Sequence, residues 1–130
     1  MNTQELMQYV KTNTIVPAVI HTSLVDLVVE LRTKLTTNNY VATHFVVGAD
    51  VWQSIRMNET LHDLIDLCYK VTDIEQGLLG SLFGSQIVSD HSFSVDKKSL
   101  DPRTLAWVSD VKGKPTQISS VLLQYPQENN

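Results

Sequence analysis

Residues 40–48 read YVATHFVVG, and Phe45, Val46 and Val47 follow one another without a polar interruption. A strand with one wet face alternates apolar and polar residues. A continuous run hides both of its faces, so a chain carrying one must supply cover on two sides. The flanking segments suit that task. Gly48 breaks the run, and ADVWQSIRM (49–57) follows with the spacing of a short helix that buries Val51, Trp52 and Ile55. Upstream, SLVDLVVELRTKL (23–35) sets Leu24, Leu27, Val28, Leu31 and Leu35 at helical intervals. Ser23 and Asp26 form a capping-box pattern in which Asp replaces the usual Glu. Arg32 and Lys34 suit the negative C-terminal end of that helix, and TTNN (36–39) stops it.

The remaining segments fall into place around this unit. TQELMQYVK (3–11) reads as a short helix with Leu6, Met7 and Val10 on one face and Thr3 as its cap. NTIVPAVI (13–20) reads as extended, because Pro17 biases Val16 away from helical angles and β-branched residues favour strand. Asn58 is placed to cap a helix over 59–71, whose Leu61, Leu64, Ile65 and Cys68 recur at helical spacing. SQIVSD (85–90) is a short strand, and SFSVDKKSLDPR (92–103) is a polar loop. TLAWVSD (104–110) and QISSVLLQ (117–124) form an antiparallel hairpin through VKGKPT, where Gly113 and Pro115 mark a turn. The expected fold class is α+β: a small mixed or antiparallel sheet with several helices. At 130 residues the chain reads as a single domain, with 1–22 as an arm and 125–130 as a loose tail.

Composition excludes several function classes. A hydrophobic fraction of 42% against 18% charged residues is globular. The net charge of −4, with no basic cluster beyond Lys97–Lys98, argues against a specific nucleic-acid partner. Cys68 is the only cysteine, so neither an intrachain disulfide nor a cysteine-based zinc site is available. The first residues lack the basic start and apolar core of a signal peptide, and no apolar run is long enough to span a membrane. Synthesis and residence in a cytoplasm, without a membrane partner, are the expectation.

The motif that invites a ligand reading is GLLGSLFGSQIVSD (77–90), with Gly77, Gly80 and Gly84 close together. A P-loop needs G-x-x-x-x-G-K-S/T and a dinucleotide loop needs G-x-G-x-x-G between strand and helix, and the three glycines match neither. They read as structural glycines that allow positive φ or close backbone packing. His21, His44, His62 and His91 form no H-x-x-x-H pair. His62 and Asp66 are expected to face solvent as an ion pair one helical turn apart. Asp90, His91 and Ser92 are neighbours on an extended chain and point apart, which weighs against a triad and leaves a hydrolase using the Asp90–His91 region as a third, less favoured class. Asp63, Asp66, Asp73 and Glu75 read as a solvated acidic face, Cys68 as core, and Trp52 and Trp107 as core anchors. No catalytic residue, metal or cofactor is implied, which points to a protein that works through its surface.

The order of these elements resembles the later part of tailed-phage major capsid proteins of the HK97 fold. The resemblance runs from about 23 to 124. It rests on THFVVGADVWQSIR (43–56), and on QGLLGSLFGSQIVSDHSF (76–93), where Gly77, Leu79, Gly80, Leu82, Gly84, Ile87 and Ser89 fit the family's phrase. It implies a capsid-like fold in which the glycine segment is a crossover returning the chain to the sheet. Residues 1–22 are too few for the family's arm, extended loop and spine helix, so an abbreviated capsid-like or accessory head protein is implied. The function implied is that of a virion structural protein made in the host cytoplasm. Its partners would be further copies of itself in symmetric oligomers and other phage head proteins. Asp96, Lys97, Lys98, Asp101 and Arg103 in the polar loop are the candidate assembly contacts. The residues taken without the resemblance leave open a second class: a small cytoplasmic protein-binding or regulatory module without catalysis.

Overall fold

The computed structural model describes residues 3–14, 17–19, 23–67, 77–89 and 100–124. Among the described residues, helices α1 (Thr3–Asn13), α2 (Leu24–Thr37), α3 (Ala49–Met57) and α4 (Glu59–Leu64) accompany seven strands: β1 (Pro17–Val19), β2 (His44–Val47), β3 (Asp66–Leu67), β4 (Leu78–Leu82), β5 (Ser85–Val88), β6 (Thr104–Val111) and β7 (Lys114–Gln124). The strands form one mixed sheet in the order β1-β7-β6-β2-β5-β4-β3. The β1–β7 and β2–β5 pairs are parallel, and the others are antiparallel. The fold is α+β.

The continuous apolar run becomes β2, at the centre of the sheet. Phe45 and Val47 enter one core with Trp107, Leu105, Ile87 and Leu123, covered by Val28, Leu31 and Leu35 of α2, Val51 and Ile55 of α3, and Leu61 of α4. Val46 enters the opposite core with Val88, Ala106 and Val108, covered by Leu6, Met7 and Val10 of α1. Burial on both faces follows from strand alternation applied to a run with no polar member. Residues 3–13, within the segment expected as an arm, are thus a docked helix. The tail at 125–130 lies outside the described residues.

The local signals act as the chemistry demands. The Ser23 hydroxyl accepts from the Asp26 N–H at 3.1 Å and caps α2, and the Asn58 side chain accepts from the Leu61 N–H at 3.0 Å and caps α4. The first N–H groups of α3 have no side-chain cap; those of Asp50 and Val51 donate to the Pro102 carbonyl at 3.0 and 3.2 Å. A helix start left unsatisfied by its own chain neighbours is closed by a distant loop.

Three expectations need correction. The helix expected over 59–71 stops at Leu64, and Leu64 is largely exposed. Asp66 and Leu67 instead pair with Ser81 and Gly80, so strand pairing at a sheet edge overrides four apolar residues at helical spacing. A Cβ at Gly80 would collide with the Asp66 carbonyl oxygen, so the glycine is what admits β3 to the edge. The glycine segment is a hairpin, β4–β5, and not a crossover. The last hairpin turns at Lys112–Gly113, with Lys114 and Pro115 already inside β7.

Two consequences can be measured. Leu31→Ala removes a side chain only 3% exposed, and an unfolding free energy lower by about 2–5 kcal/mol is expected from urea denaturation, with a smaller loss at the half-buried Leu27. Gly80→Ala should cost about 1–3 kcal/mol, the range for forcing an extra carbon into packed structure. Hydrogen exchange should show the loss concentrated at Asp66 and Leu67.

Candidate functional site

The described residues among those singled out by the sequence do not converge. Asp96, Lys97, Lys98, Asp90, His91, Ser92, His21, Asp73, Glu75 and Cys68 lie outside the described residues. Asp101 and Arg103 satisfy each other within one chain. The Arg103 guanidinium donates to both carboxylate oxygens of Asp101 at 3.1 and 3.0 Å, and the Arg103 backbone N–H donates to one of them at 2.9 Å. The Arg103 side chain, helped by that backbone N–H, holds the Asp101 carboxyl below the usual carboxylate range. The pair therefore shapes the loop that presents Pro102 to α3, and its charges are already matched. His62 lies 3.8 Å from Asp63, not beside Asp66, because the helix that would have aligned His62 with Asp66 ends first. Trp107 is fully buried. Trp52 is partly buried against the same core and lines a shallow groove of roughly 340 Å³ with Gln53, Arg56, Met57 and His62. Gly77, with φ +87°, precedes β4, and its carbonyl accepts from the Ser89 N–H at 2.9 Å. Among the described residues no three of His, Cys, Asp and Glu gather to hold a metal ion, and no helix is long and apolar enough to cross a membrane.

One polar cluster is assembled by register. His44 on β2 stands opposite Gln86 on β5 and Val108 on β6. The Thr43 hydroxyl donates to the Val108 carbonyl at 3.1 Å, accepts from the Asp110 N–H at 2.9 Å, and lies 2.8 Å from His44 Nδ1. A hydroxyl has one proton to give. If that proton goes to Val108, whose carbonyl also accepts the Thr43 N–H at 2.9 Å, the ring nitrogen is the donor and neutral His44 is the Nδ1–H tautomer. Burial pushes the His44 pKa below its ordinary value of 6.5, opposed by the charge of Asp110 and a hydrogen bond with Gln86. The cluster ties three strands together.

The other unusual place is the end of the sheet where β2 and β5 begin and β6 stops. Two tight turns lie there, Phe83–Gly84 and Lys112–Gly113, and both residues of each have positive φ: 52° and 80°, then 54° and 84°. That is the requirement of a type I′ hairpin turn, which favours Asn or Gly at its first position. Phenylalanine there is an outlier, and a bulky residue held left-handed costs about 1–2 kcal/mol. The conformation lays the Phe83 ring over Trp107, centroids 6.5 Å apart, while leaving the residue 41% exposed. The Arg32 guanidinium sits 5.6 Å from the Phe83 ring centre and 5.8 Å from that of Trp107. Tyr40 and Val41 enter β2 at the same end and Val111 leaves β6 there. All three are exposed, Val41 most of all at 70%. Nothing in the sequence alone marked Phe83: its glycine neighbours drew attention to phosphate chemistry, and the consequence of an F-G turn emerges only with the register.

No family model, curated protein or solved structure matches this chain.

The His44 cluster sets a pH dependence whose sign is fixed. The folded pKa is lower than the unfolded one, so the unfolded chain takes up the proton first as pH falls. The contribution to stability is complete above about pH 6.5 and declines as pH drops through that value toward the folded pKa. Urea midpoints measured from about pH 7.5 to pH 5 should fall accordingly, and His44→Gln should flatten part of that slope. An unchanged slope would assign the dependence to other groups.

Proposed function

We propose that the chain is a virion structural protein, a capsid or head-associated component of a tailed phage that acts by symmetric association of many copies. The observation that carries the reading is the gathering of exposed apolar side chains, Tyr40, Val41, Phe83 and Val111, at one end of the sheet. Scattered apolar residues on a surface are ordinary, but a group of them at a strained turn is the composition of a contact surface. Further support comes from the fit of Gly77, Leu79, Gly80, Leu82, Gly84, Ile87 and Ser89 to the capsid phrase, now carried by the β4–β5 hairpin and its flanks. On this reading Asp101 and Arg103 contribute by fixing a loop, and the contact lies elsewhere. Repetition of a modest contact by symmetry supplies the affinity that one contact lacks. The protein would be made in the host cytoplasm and reside in the virion.

Native mass spectrometry over a concentration series, with electron microscopy of purified particles, tests the proposal. Defined multimers, or density for the chain in a phage head, are expected. A strictly monomeric protein that is absent from every particle would overturn it.

A further inference from the structure

We propose that Arg32, braced by Phe83 and Trp107, is the anchor for a carboxylate of a second copy of this chain. The inference rests on the assembly reading above and names the chemistry of its contact.

The first observation is an unspent cation. The ion pairs among the described residues are His62–Asp63 and Asp101–Arg103, and Arg32 belongs to neither. Its Nε is buried and has no hydrogen-bond partner. A desolvated guanidinium nitrogen without an acceptor is costly, and among the described residues the rings at 5.6 and 5.8 Å are what faces the charge. The second observation is rigidity. The rings hold the guanidinium plane before any partner arrives, so little side-chain freedom remains to be lost on binding. The third is the strained turn. Asn or Gly at residue 83 would relieve the backbone, yet the chain carries a phenylalanine that is partly exposed and in contact with the cation. The apolar Tyr40, Val41 and Val111 stand at the same end of the sheet and can exclude water around such a contact.

A planar, pre-set guanidinium beside apolar groups fits a carboxylate bidentately. The chain itself supplies that ligand in excess: 14 acidic residues against 10 basic ones. Glu59 and Asp63 on α4 and Asp50 on α3 are exposed, and their only ion pair among the described residues is the long one from Asp63 to His62. A contact between Arg32 and an acidic helix of another copy joins two different patches, so it is heterologous and generates a ring or an open array.

The test uses the full chain and two variants in sedimentation velocity and native mass spectrometry. Arg32→Gln removes the charge and the guanidinium fork while keeping a polar side chain that suits a helix. Phe83→Asn suits the left-handed turn, so the hairpin survives while the brace is lost. Both should retain the wild-type circular dichroism and a cooperative melt. Both should weaken self-association about tenfold or more, and raising salt should weaken the wild type while moving Arg32→Gln little. If the wild type assembles and both folded variants assemble equally well, the Arg32 assignment is wrong and the assembly reading stands. If Arg32→Gln spares assembly but abolishes binding of inorganic phosphate, the anchor serves a phosphate and the carboxylate assignment is overturned. A wild type that never assembles overturns both.

Discussion

The indole of Trp107 joins the two layers of the larger core. Its Nε1–H donates to the Val28 carbonyl of α2 at 2.9 Å, and its face stacks on Phe45 with centroids 4.3 Å apart. The donor is fully buried, so the helix carbonyl it reaches is required: a buried indole N–H without a partner would cost most of what the ring gains. The bond fixes the height of α2 above the sheet, which sets Leu31 and Leu35 into the core and carries Arg32, one turn beyond Val28, out over the aromatic rings. Phe45, Trp107, Phe83 and Arg32 are one continuous stack running from the interior to the surface, and the exposed end of that stack is the candidate contact. The surface chemistry is thereby an extension of the core.

Much of the architecture was legible because it depends on short-range patterns. β2 was readable from three consecutive apolar residues, α2 from its stripe and its Ser23 cap, and the closing hairpin from two strand-like segments around a glycine. The elements that misread are those decided by partners far away in sequence. Residues 59–67 carry a helical stripe, and only a free edge on β4, opened by Gly80, makes Asp66 and Leu67 a strand. The GLLGSLFGS segment has no alternation strong enough to announce β4, because small and glycine residues occupy the positions that would show it. Asp101 and Arg103, read from the sequence as candidate contacts to a neighbouring subunit, pair within the chain, because the single residue between them, Pro102, lets them close a local ring. Arg32 looked like a helix-end cation and is instead drawn sideways by aromatic faces. The candidate site was illegible for a plain reason: nothing local says that the turn at Phe83 will lie beside residue 32 and residue 107.

The two ends of the sheet have different characters. At one, the Pro102 carbonyl takes the first N–H groups of α3, and backbone groups from distant parts of the chain satisfy each other. At the other, two tight turns and the start of β2 leave apolar side chains facing outward. Among the described residues, the first end is closed by backbone hydrogen bonds. The second has its backbone satisfied by turn geometry and its side chains unspent. An interface built there would meet rigid hairpins, and little ordering would be required of them.

The parallel pairing of β1 with β7 has a consequence for how the chain comes to be folded. Pro17 aligns with Leu122 and Val19 with Gln124, so an early strand waits for one of the last. Helix α1 waits with it, since it packs on β7, and Ser120 reaches back to the Asn13 carbonyl. On a ribosome, α1 and β1 emerge well before β7, the strand they pack on. Leu6, Met7 and Val10 stay uncovered through that interval, and the second core is the last part of the molecule to close.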